Sequence, residues 1–324
     1  MGESYFIFGA GGQDGSLLFD ELLKSNKNIV AFFGKSGLNP NFRHQELVKS
    51  SVTRGNTSLE FSQDINEYNL LNLLMKHKPK TIFYLASSEN QKNPNLRLSN
   101  ESDQYYVNYQ LPKLLISNII RNRMEIKFIY AGSSRMYLGH DGHVVVDEEV
   151  SFKPIDAYGR AKTKFILFLE ELRKLNSYPA IETILFNHDS SRRKEGYLSW
   201  DIANQFIHRI RTKSSEPLKL QNSKIQLDWT SAQDVVDSLI LASDKFHSGR
   251  LVIGSGELVC IRDIIGNLNT IFNLDLGIVD EVDTPQNPIL KSNPLKANNL
   301  LGWKPRYKIV DLLSDMIKSK LQIH

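Results

Sequence analysis

A glycine-rich turn near the start of the chain constrains the fold more than any other feature. Gly9, Gly12 and Gly15 lie between an apolar run at 4–8 and an amphipathic stretch at 16–25. The run predicts a short buried strand, and the stretch predicts a helix. Glycines at this spacing let the backbone turn tightly and approach a pyrophosphate, whose charge the helix N-terminus favours. The pattern predicts a dinucleotide site, with an ordinary turn as the alternative. The candidate contacts are Gly9, Gly12, Gln13, Asp14 and Gly15.

Predicted strands and helices alternate along the first 186 residues. The strands are expected at 4–8, 28–33, 59–61, 81–85, 127–131 and 181–186. The later helices are expected at 69–77, 105–121 and 157–175. This alternation predicts an α/β fold with a parallel, doubly wound sheet of the Rossmann type. We expect a dinucleotide-binding domain at 1–186 and a smaller substrate-binding lobe at 187–324, interleaved with the main sheet.

Composition narrows the class of protein. The chain has 324 residues, 23% charged residues and a formal net charge of +4. These values exclude wholesale disorder and give little reason to expect a nucleic-acid partner. Cys260 is the one cysteine, which excludes a disulfide framework and a cysteine zinc site. The spacing of His140 and His143 fits no standard metal site, so no metal is expected. The sequence carries no recognisable signal peptide or membrane span, and we expect a cytoplasmic protein without a membrane partner.

The end of the second predicted strand bears on the choice of cofactor. An acidic residue there usually binds the ribose hydroxyls of NAD, whereas basic residues accept the extra phosphate of NADP. The sequence has Lys35 and Ser36 at that point and Arg43 further along. We expect NADP, with NAD as the second choice and a solvated basic loop as the alternative explanation. Further cofactor contacts are expected at two other segments: Asp64, Ile65, Leu85, Ala86 and Ser87.

Tyr158 and Lys162 form the second chemical motif. Residues four apart share one side of a helix. A neighbouring ammonium favours the deprotonated phenol, which suits Tyr158 to proton transfer, and the lysine can also bind the nicotinamide ribose. Ser133 follows the preceding predicted strand, where its hydroxyl can bind the same substrate oxygen. A Tyr–Lys pair at this spacing is frequent by chance, but the glycine turn and Ser133 make a catalytic set the better interpretation.

These motifs resemble those of the extended short-chain dehydrogenase/reductases that modify nucleotide sugars, and most of all the GDP-mannose 4,6-dehydratase group. The resemblance covers nearly the whole chain. It rests on GAGGQDGSLL at 9–18, AYGRAK at 157–162, LFNHDSSRRKEGY at 185–197, LDWTSAQDVV at 227–236 and LLGWKP at 300–305. It implies a nucleotide-diphosphate sugar as substrate, a nicotinamide cofactor, and a homodimer or homotetramer.

The resemblance also implies roles for single residues. Tyr158 would take the proton of the sugar C4 hydroxyl while the C4 hydride goes to nicotinamide. Lys162 would support that tyrosine, and Ser133 matches the catalytic serine or threonine of the group. Asn187 matches an asparagine near the nicotinamide and the sugar, and Arg192 or Arg193 matches a substrate-side arginine. The substrate-binding candidates are Ser134, Arg135, Asn187, His188, Arg192, Arg193, Asn222 and Lys224.

One departure from the group's pattern bears on the reaction. A 4,6-dehydratase needs a second acid/base for elimination, and the group places a glutamate where this sequence has Arg135. A guanidinium stays protonated and is a poor base. Elimination would then need another group, such as Asp189 or Glu89. Leu227 and Thr284 also stand where the group has arginines, which weakens the prediction of GDP as the nucleotide.

Three hypotheses follow. The first is a redox enzyme acting at C4 without elimination: a 4-keto reductase, a 4-dehydrogenase or an epimerase. The second is a true 4,6-dehydratase with a relocated acid/base. The third is a cofactor-binding protein that has lost catalysis. The retained Ser133, Tyr158 and Lys162, together with Arg135, favour the first.

Overall fold

The strands and helices follow the expected alternation. The computed structural model describes residues 3–33, 57–61, 67–88, 100–282 and 288–322. The strands are β1 (Ser4–Phe8), β2 (Asn28–Phe33), β3 (Thr57–Phe61), β4 (Thr81–Tyr84), β5 (Lys127–Ala131), β6 (His143–Val146), β7 (Ala180–Leu185), β8 (Asn187–Asp189), β9 (Leu218–Leu220), β10 (Gln226–Ser231), β11 (Gly249–Ile253), β12 (Leu258–Cys260), β13 (Ile278–Asp280) and β14 (Ile289–Ser292).

Along the chain, most of the helices come between two successive strands of the main sheet. The helices are α1 (Gln13–Lys24), α2 (Glu67–His77), α3 (Glu101–Tyr105), α4 (Leu111–Arg121), α5 (Ala157–Asn176), α6 (Leu198–Thr212), α7 (Ala232–Lys245), α8 (Ile261–Phe272), α9 (Leu295–Leu301) and α10 (Ile309–Leu321). A π turn (Tyr106–Gln110) joins α3 to α4, and a 3₁₀ turn (Ser134–Tyr137) follows β5. Among the described helices, none is long and apolar enough to cross a bilayer.

The described residues form a main sheet of seven strands in the order β11-β7-β5-β4-β1-β2-β3. Every neighbouring pair in it is parallel. Side chains alternate between its faces, so Phe6 and Phe8 pack on one side with Phe165 of α5. Ile7 packs on the other side with Phe19 of α1. Helices therefore cover both faces, and the predicted doubly wound Rossmann-type sheet is confirmed.

The helix predicted at 105–121 is interrupted by the π turn. Pro112 has no N–H, so it cannot bond to the carbonyl oxygen of Asn108 four residues earlier. That oxygen instead accepts a hydrogen bond of 2.6 Å from the Tyr130 hydroxyl of β5. The Tyr84 hydroxyl of β4 likewise donates to the carbonyl oxygen of Val107 at 2.5 Å. The looser turn thus ties this helical segment to two strands of the main sheet.

The second half of the chain contributes to two regions. β8, β10 and β12 form a small separate sheet, and β13 pairs with β9. A third apolar cluster there includes Phe206, Trp229 and Leu313. β11 and α7 return to the main sheet, where Trp303 also packs. The second half of the chain thus supplies elements to the main sheet and to the smaller sheets, while the division into two domains at residue 187 stays a prediction.

Candidate active site

The carboxyl ends of four neighbouring strands bring the candidate residues together. β7, β5, β4 and β1 lie side by side in that order. Because they are parallel, the segments that follow them leave the sheet at the same edge. Those segments begin at Gly9 after β1, Leu85 after β4, Gly132 after β5 and Phe186 after β7. The chain winds outward in opposite directions from β1 and from β4, and open α/β sheets bind ligands at such a switch point.

The glycine turn is shaped by close contacts between backbone segments. Gly9 has a φ of +87°, and a methyl group on it would lie 2.6 Å from the amide nitrogen of Ala86. A methyl group on Gly15 would overlap the carbonyl oxygen of Gly9. The amides of Gly9 and Ala10 both donate to the Phe32 carbonyl oxygen of β2 at 3.1 Å. Gly9 and Gly15 are therefore required by the packing of this turn itself.

Gly12 differs from the other two glycines. It precedes the first residue of α1 with a φ of −78°, which any residue adopts. Among the described residues, a methyl group there would meet just the Gly9 carbonyl oxygen, at 3.2 Å. No described side chain caps α1, so the amide groups of its first turn are left to another acceptor. This open, uncapped helix N-terminus fits the pyrophosphate of a dinucleotide, which the glycines and the amides of Gln13 and Asp14 would hold.

Asp14 and His188 form a pair beside this turn. The Nε2 atom of His188 lies 2.9 Å from an Asp14 carboxylate oxygen, and its Nδ1 lies 2.6 Å from the Phe186 carbonyl oxygen. Burial alone would lower the pKa of His188, but the Asp14 carboxylate raises it above its ordinary value. Burial alone would raise the pKa of Asp14, but His188 lowers it. The charge of Asp14 is thus balanced within the protein, next to the proposed phosphate position.

Gln13 links the same two segments through neutral groups. Its Nε2 donates to the His188 carbonyl oxygen at 3.3 Å, and its Oε1 accepts from the Ser190 hydroxyl at 3.0 Å. The side chains of both residues are buried. Gln13 therefore links the start of α1 to β8 and to Ser190, the residue that follows β8.

The predicted catalytic residues cluster at the end of β5 and the start of α5. Lys162 is buried, and its Nζ donates to the Ala131 carbonyl oxygen at 2.6 Å. The same atom lies 5.4 Å from the ring centroid of Tyr158 and 4.9 Å from that of Tyr130. The Ser133 hydroxyl accepts from the Arg135 amide at 3.2 Å and starts the 3₁₀ turn. The structure therefore brings Ser133, Tyr158 and Lys162 into one neighbourhood.

Tyr130 and Tyr158 differ in their hydroxyl groups. Burial raises the pKa of Tyr130 well above its ordinary value, and its hydroxyl already donates to the Asn108 carbonyl oxygen. That tyrosine is held protonated in the core. Tyr158 lies in the first turn of α5 and is also buried, with 8% of its surface exposed. Its ring lies near the Lys162 Nζ and the Arg135 guanidinium, and its role as acid/base stays a prediction.

Arg135 lies against Tyr158. Its Cζ is 4.9 Å from the Tyr158 ring centroid. Its Nη2 and Nε donate to one carboxylate oxygen of Asp156 at 2.5 and 3.1 Å. The other Asp156 oxygen accepts from the Gly159 amide at 2.6 Å and caps α5. Ser134, beside Arg135, is buried. Asp156 was not predicted as a site residue, although an aspartate just before a helix is a typical N-cap.

The predicted substrate residues after β7 have different surroundings. Asn187 is exposed, and its Nδ2 donates to the Asp228 carbonyl oxygen at 3.3 Å. Arg192 pairs with Asp20 of α1. Arg193 pairs with Asp189 and lies 4.0 Å from the Tyr197 ring centroid. These ion pairs tie the segment to α1 and to itself.

Two further candidates lie in the C-terminal lobe. The Asn222 side-chain oxygen accepts from the Lys224 amide at 2.9 Å, which turns the chain between β9 and β10. Asn222 is buried, whereas Lys224 is exposed. That Asn222 and Lys224 contact the substrate stays a prediction.

Several cofactor candidates fall outside the described residues, as does Glu89. They are Lys35, Ser36, Arg43, Asp64 and Ile65. The remaining cofactor candidates, Leu85, Ala86 and Ser87, follow β4 directly, and the Leu85 amide donates to the Phe8 carbonyl oxygen at 2.9 Å. In the described ranges, no group of three or more His, Cys, Asp or Glu side chains is placed to hold a metal ion.

The sheet order, the glycine turn and the Ser–Tyr–Lys cluster define the Rossmann-type fold of the short-chain dehydrogenase/reductases. Residues 6–316 match the family model for GDP-mannose 4,6 dehydratase. The chain belongs to this family. A GDP-mannose 4,6 dehydratase from Drosophila melanogaster is 25% identical over 347 residues, which cover 98% of this chain and 86% of the relative.

Solved structures share the fold. The dTDP-glucose 4,6-dehydratase from Bacillus anthracis, solved with NAD, has a TM-score of 0.80 at 16% identity, covering 99% of this chain and 97% of that one. The UDP-glucuronic acid 4-epimerase from Bacillus cereus, also solved with NAD, has a TM-score of 0.76 at 19% identity, covering 98% and 96%. One fold thus accommodates both a dehydratase and an epimerase, and the side chains of the site must distinguish them.

Proposed function

We propose that this chain is an NAD(P)-dependent enzyme that transfers a hydride at C4 of a nucleotide-linked sugar without eliminating water. The observation that carries the proposal is the replacement of the expected glutamate by Arg135, which is paired with Asp156 beside an intact Ser133, Tyr158 and Lys162. Family membership supports the nucleotide sugar as the substrate class. A 4-keto reductase, a 4-dehydrogenase and an epimerase all fit this chemistry.

Each residue of the cluster has a distinct role in this reaction. Bound at the glycine turn, the nicotinamide cofactor would supply or accept the hydride. Tyr158 holds or takes the proton of the C4 hydroxyl, so oxidation removes one hydride from carbon and one proton from oxygen. Ser133 hydrogen-bonds the same oxygen. Lys162 favours the deprotonated phenol and binds the ribose.

NADP is the proposed cofactor, with NAD as the second choice. The support is the sequence that follows β2, which has Lys35 and Ser36 first and Arg43 further along, and has no acidic residue at that point. The related proteins solved with NAD favour a nicotinamide cofactor in general. We also propose a cytoplasmic homodimer or homotetramer, in keeping with the resemblance.

Elimination has little support among the described acidic residues. Asp189, one of the two candidates for a relocated base, is buried, pairs with Arg193 and accepts from the Trp229 Nε1 at 2.9 Å. Each of its two carboxylate oxygens therefore already accepts a hydrogen bond from another side chain. A dehydratase would need a base other than Asp189, and Glu89, the second candidate, lies outside the described residues.

The test is the mass of the product. The purified chain is incubated with NADP or NAD and a panel of nucleotide sugars, and with NADPH or NADH and the 4-keto forms of those sugars. We expect a change of two hydrogens or an isomer of unchanged mass, and no turnover with Tyr158→Phe. Loss of water would establish the dehydratase. Binding of NADP without turnover of any sugar would establish the non-catalytic alternative.

A further inference from the structure

The start of α5 is joined to the 3₁₀ turn by a single carboxylate. Asp156 accepts from the Gly159 amide with one oxygen and from the Arg135 guanidinium with the other. Tyr158 is the second residue of α5, two positions after Asp156. Any shift of the guanidinium therefore acts on the turn of helix that carries Tyr158. Arg135 is also in contact with the ring itself, with 4.9 Å between its Cζ and the ring centroid.

The groups around Tyr158 come from three elements. From its own helix, the Lys162 Nζ lies 5.4 Å from the ring centroid. From β5 comes Tyr130, which burial keeps protonated. From the 3₁₀ turn comes Arg135, accompanied by the Asp156 carboxylate at the start of α5. The N-terminus of α5 adds a partial positive charge. Two full cations and a helix terminus thus lie close to one phenol, and the Asp156 carboxylate is paired with one of those cations, Arg135.

We propose that Arg135 is a positioning residue for Tyr158: paired with Asp156, its guanidinium fixes the ring and stabilises the deprotonated phenol. The inference rests on the proposed function, because it assumes that Tyr158 is the acid/base. The inference thereby assigns a function to Arg135, the residue that stands where the dehydratase group has a glutamate. The guanidinium is suited to it, since it remains charged, is planar and can both bind a carboxylate and stack on an aromatic ring.

The test is the titration of Tyr158 in the full-length protein. Tyrosine labelled with ¹³C at the ring carbon that bears the hydroxyl is followed by NMR against pH, and Tyr158→Phe identifies the signal. Arg135→Met removes the charge, whereas Arg135→Lys keeps it. Arg160→Met is the matched control, because Arg160 is an exposed cation of the same helix whose guanidinium donates to the Ile155 carbonyl oxygen at 2.9 Å.

We expect Arg135→Met to move the Tyr158 midpoint to higher pH by about one unit, the size of effect that a neighbouring charge has. Arg160→Met is expected to move it much less, and Arg135→Lys to restore most of the wild-type value. If Arg135→Met does not fold, Arg135→Gln serves as the neutral variant, because its amide can still donate to Asp156.

An equal midpoint in the neutral Arg135 variant and in Arg160→Met would overturn the inference. The proposed function is tested separately, by measuring the turnover of Tyr158→Phe. If Tyr158→Phe retained full turnover, the proposed function would fail whatever the titration gave. If Tyr158→Phe lost turnover and the midpoint did not move, the function would stand and the role of Arg135 would not.

Discussion

The turn after β1 is held together by backbone, whereas the segment after β5 is held together by side chains. At the first, Gly9 and Gly15 pack against carbonyl and amide groups, and no side chain fits. At the second, Arg135, Asp156 and Lys162 make the contacts. The comparison teaches that the turn after β1 cannot change its residues without disturbing the backbone packing. The segment after β5 depends on side-chain contacts, so on our proposal a single residue there, Arg135, alters the chemistry while the fold stays the same.

The largest expected effect is a loss of stability, caused by a substitution in the turn after β1. Gly9→Ala places a methyl group 2.6 Å from the Ala86 amide nitrogen at a φ of +87°. We expect it to lower the free energy of unfolding by about 3 kcal/mol or more, measured by chemical denaturation. Gly12→Ala is the matched control: it should fold normally and lose affinity for NADP. Equal stability of the two variants would contradict the distinction between these glycines.

The next largest effect is a loss of turnover, caused by a substitution at Tyr158, which lies beside Arg135 and Lys162. Tyr158→Phe removes one hydroxyl from a ring that the packing retains, so the fold should be unchanged. We expect turnover to fall about 100-fold or more, because general acid–base catalysis contributes that much. Tyr307→Phe, at a tyrosine that is 49% exposed, controls for loss of a hydroxyl elsewhere. Comparable losses in both variants would remove Tyr158 from the mechanism.

The pair of Asp14 and His188 joins the turn after β1 to β8 and should give stability that depends on pH. The pKa of His188 is raised above 6.5, so its contribution is complete below pH 6.5 and is lost as pH rises through the raised value. The pKa of Asp14 is lowered below 3.8, so its contribution is complete above pH 3.8. Wild type should exceed His188→Gln in stability by on the order of 1 kcal/mol between these limits, and by less at pH 9. A difference that does not vary with pH would refute the pairing.

The smallest effect separates the two functions of Asp156. Asp156→Ala removes the cap of α5 and should cost about 1 kcal/mol in thermal or chemical unfolding. Asp156→Asn keeps an N-cap acceptor and should cost clearly less, because the partly exposed ion pair with Arg135 contributes little stability. If the asparagine variant were as unstable as the alanine variant, the ion pair rather than the cap would hold the helix.

The sequence predicted the parts of the site that depend on local spacing. The glycine turn and the Tyr158–Lys162 pair are such patterns, and six of the seven strands of the main sheet were placed correctly to within about two residues. The seventh, β11, was not predicted. It did not predict the contacts between distant segments. Arg135 and Asp156 are 21 residues apart, and Asp14 and His188 are 174 apart. Such pairs are set by tertiary packing, which no local pattern encodes. The predicted helix at 105–121 did not include the π turn, which accompanies the missing N–H of Pro112.

The central claim is that the site with Arg135 transfers hydride without elimination. The most direct measurement is mass spectrometry of the products formed in heavy water from a panel of nucleotide sugars, with NADP or NAD. A dehydratase must remove the C5 proton and expel the C6 hydroxyl, so its product lacks one water and takes up solvent deuterium. The account predicts a product that differs from its substrate by two hydrogens, or an isomer, with the C6 oxygen retained. A product lighter by one water would contradict it.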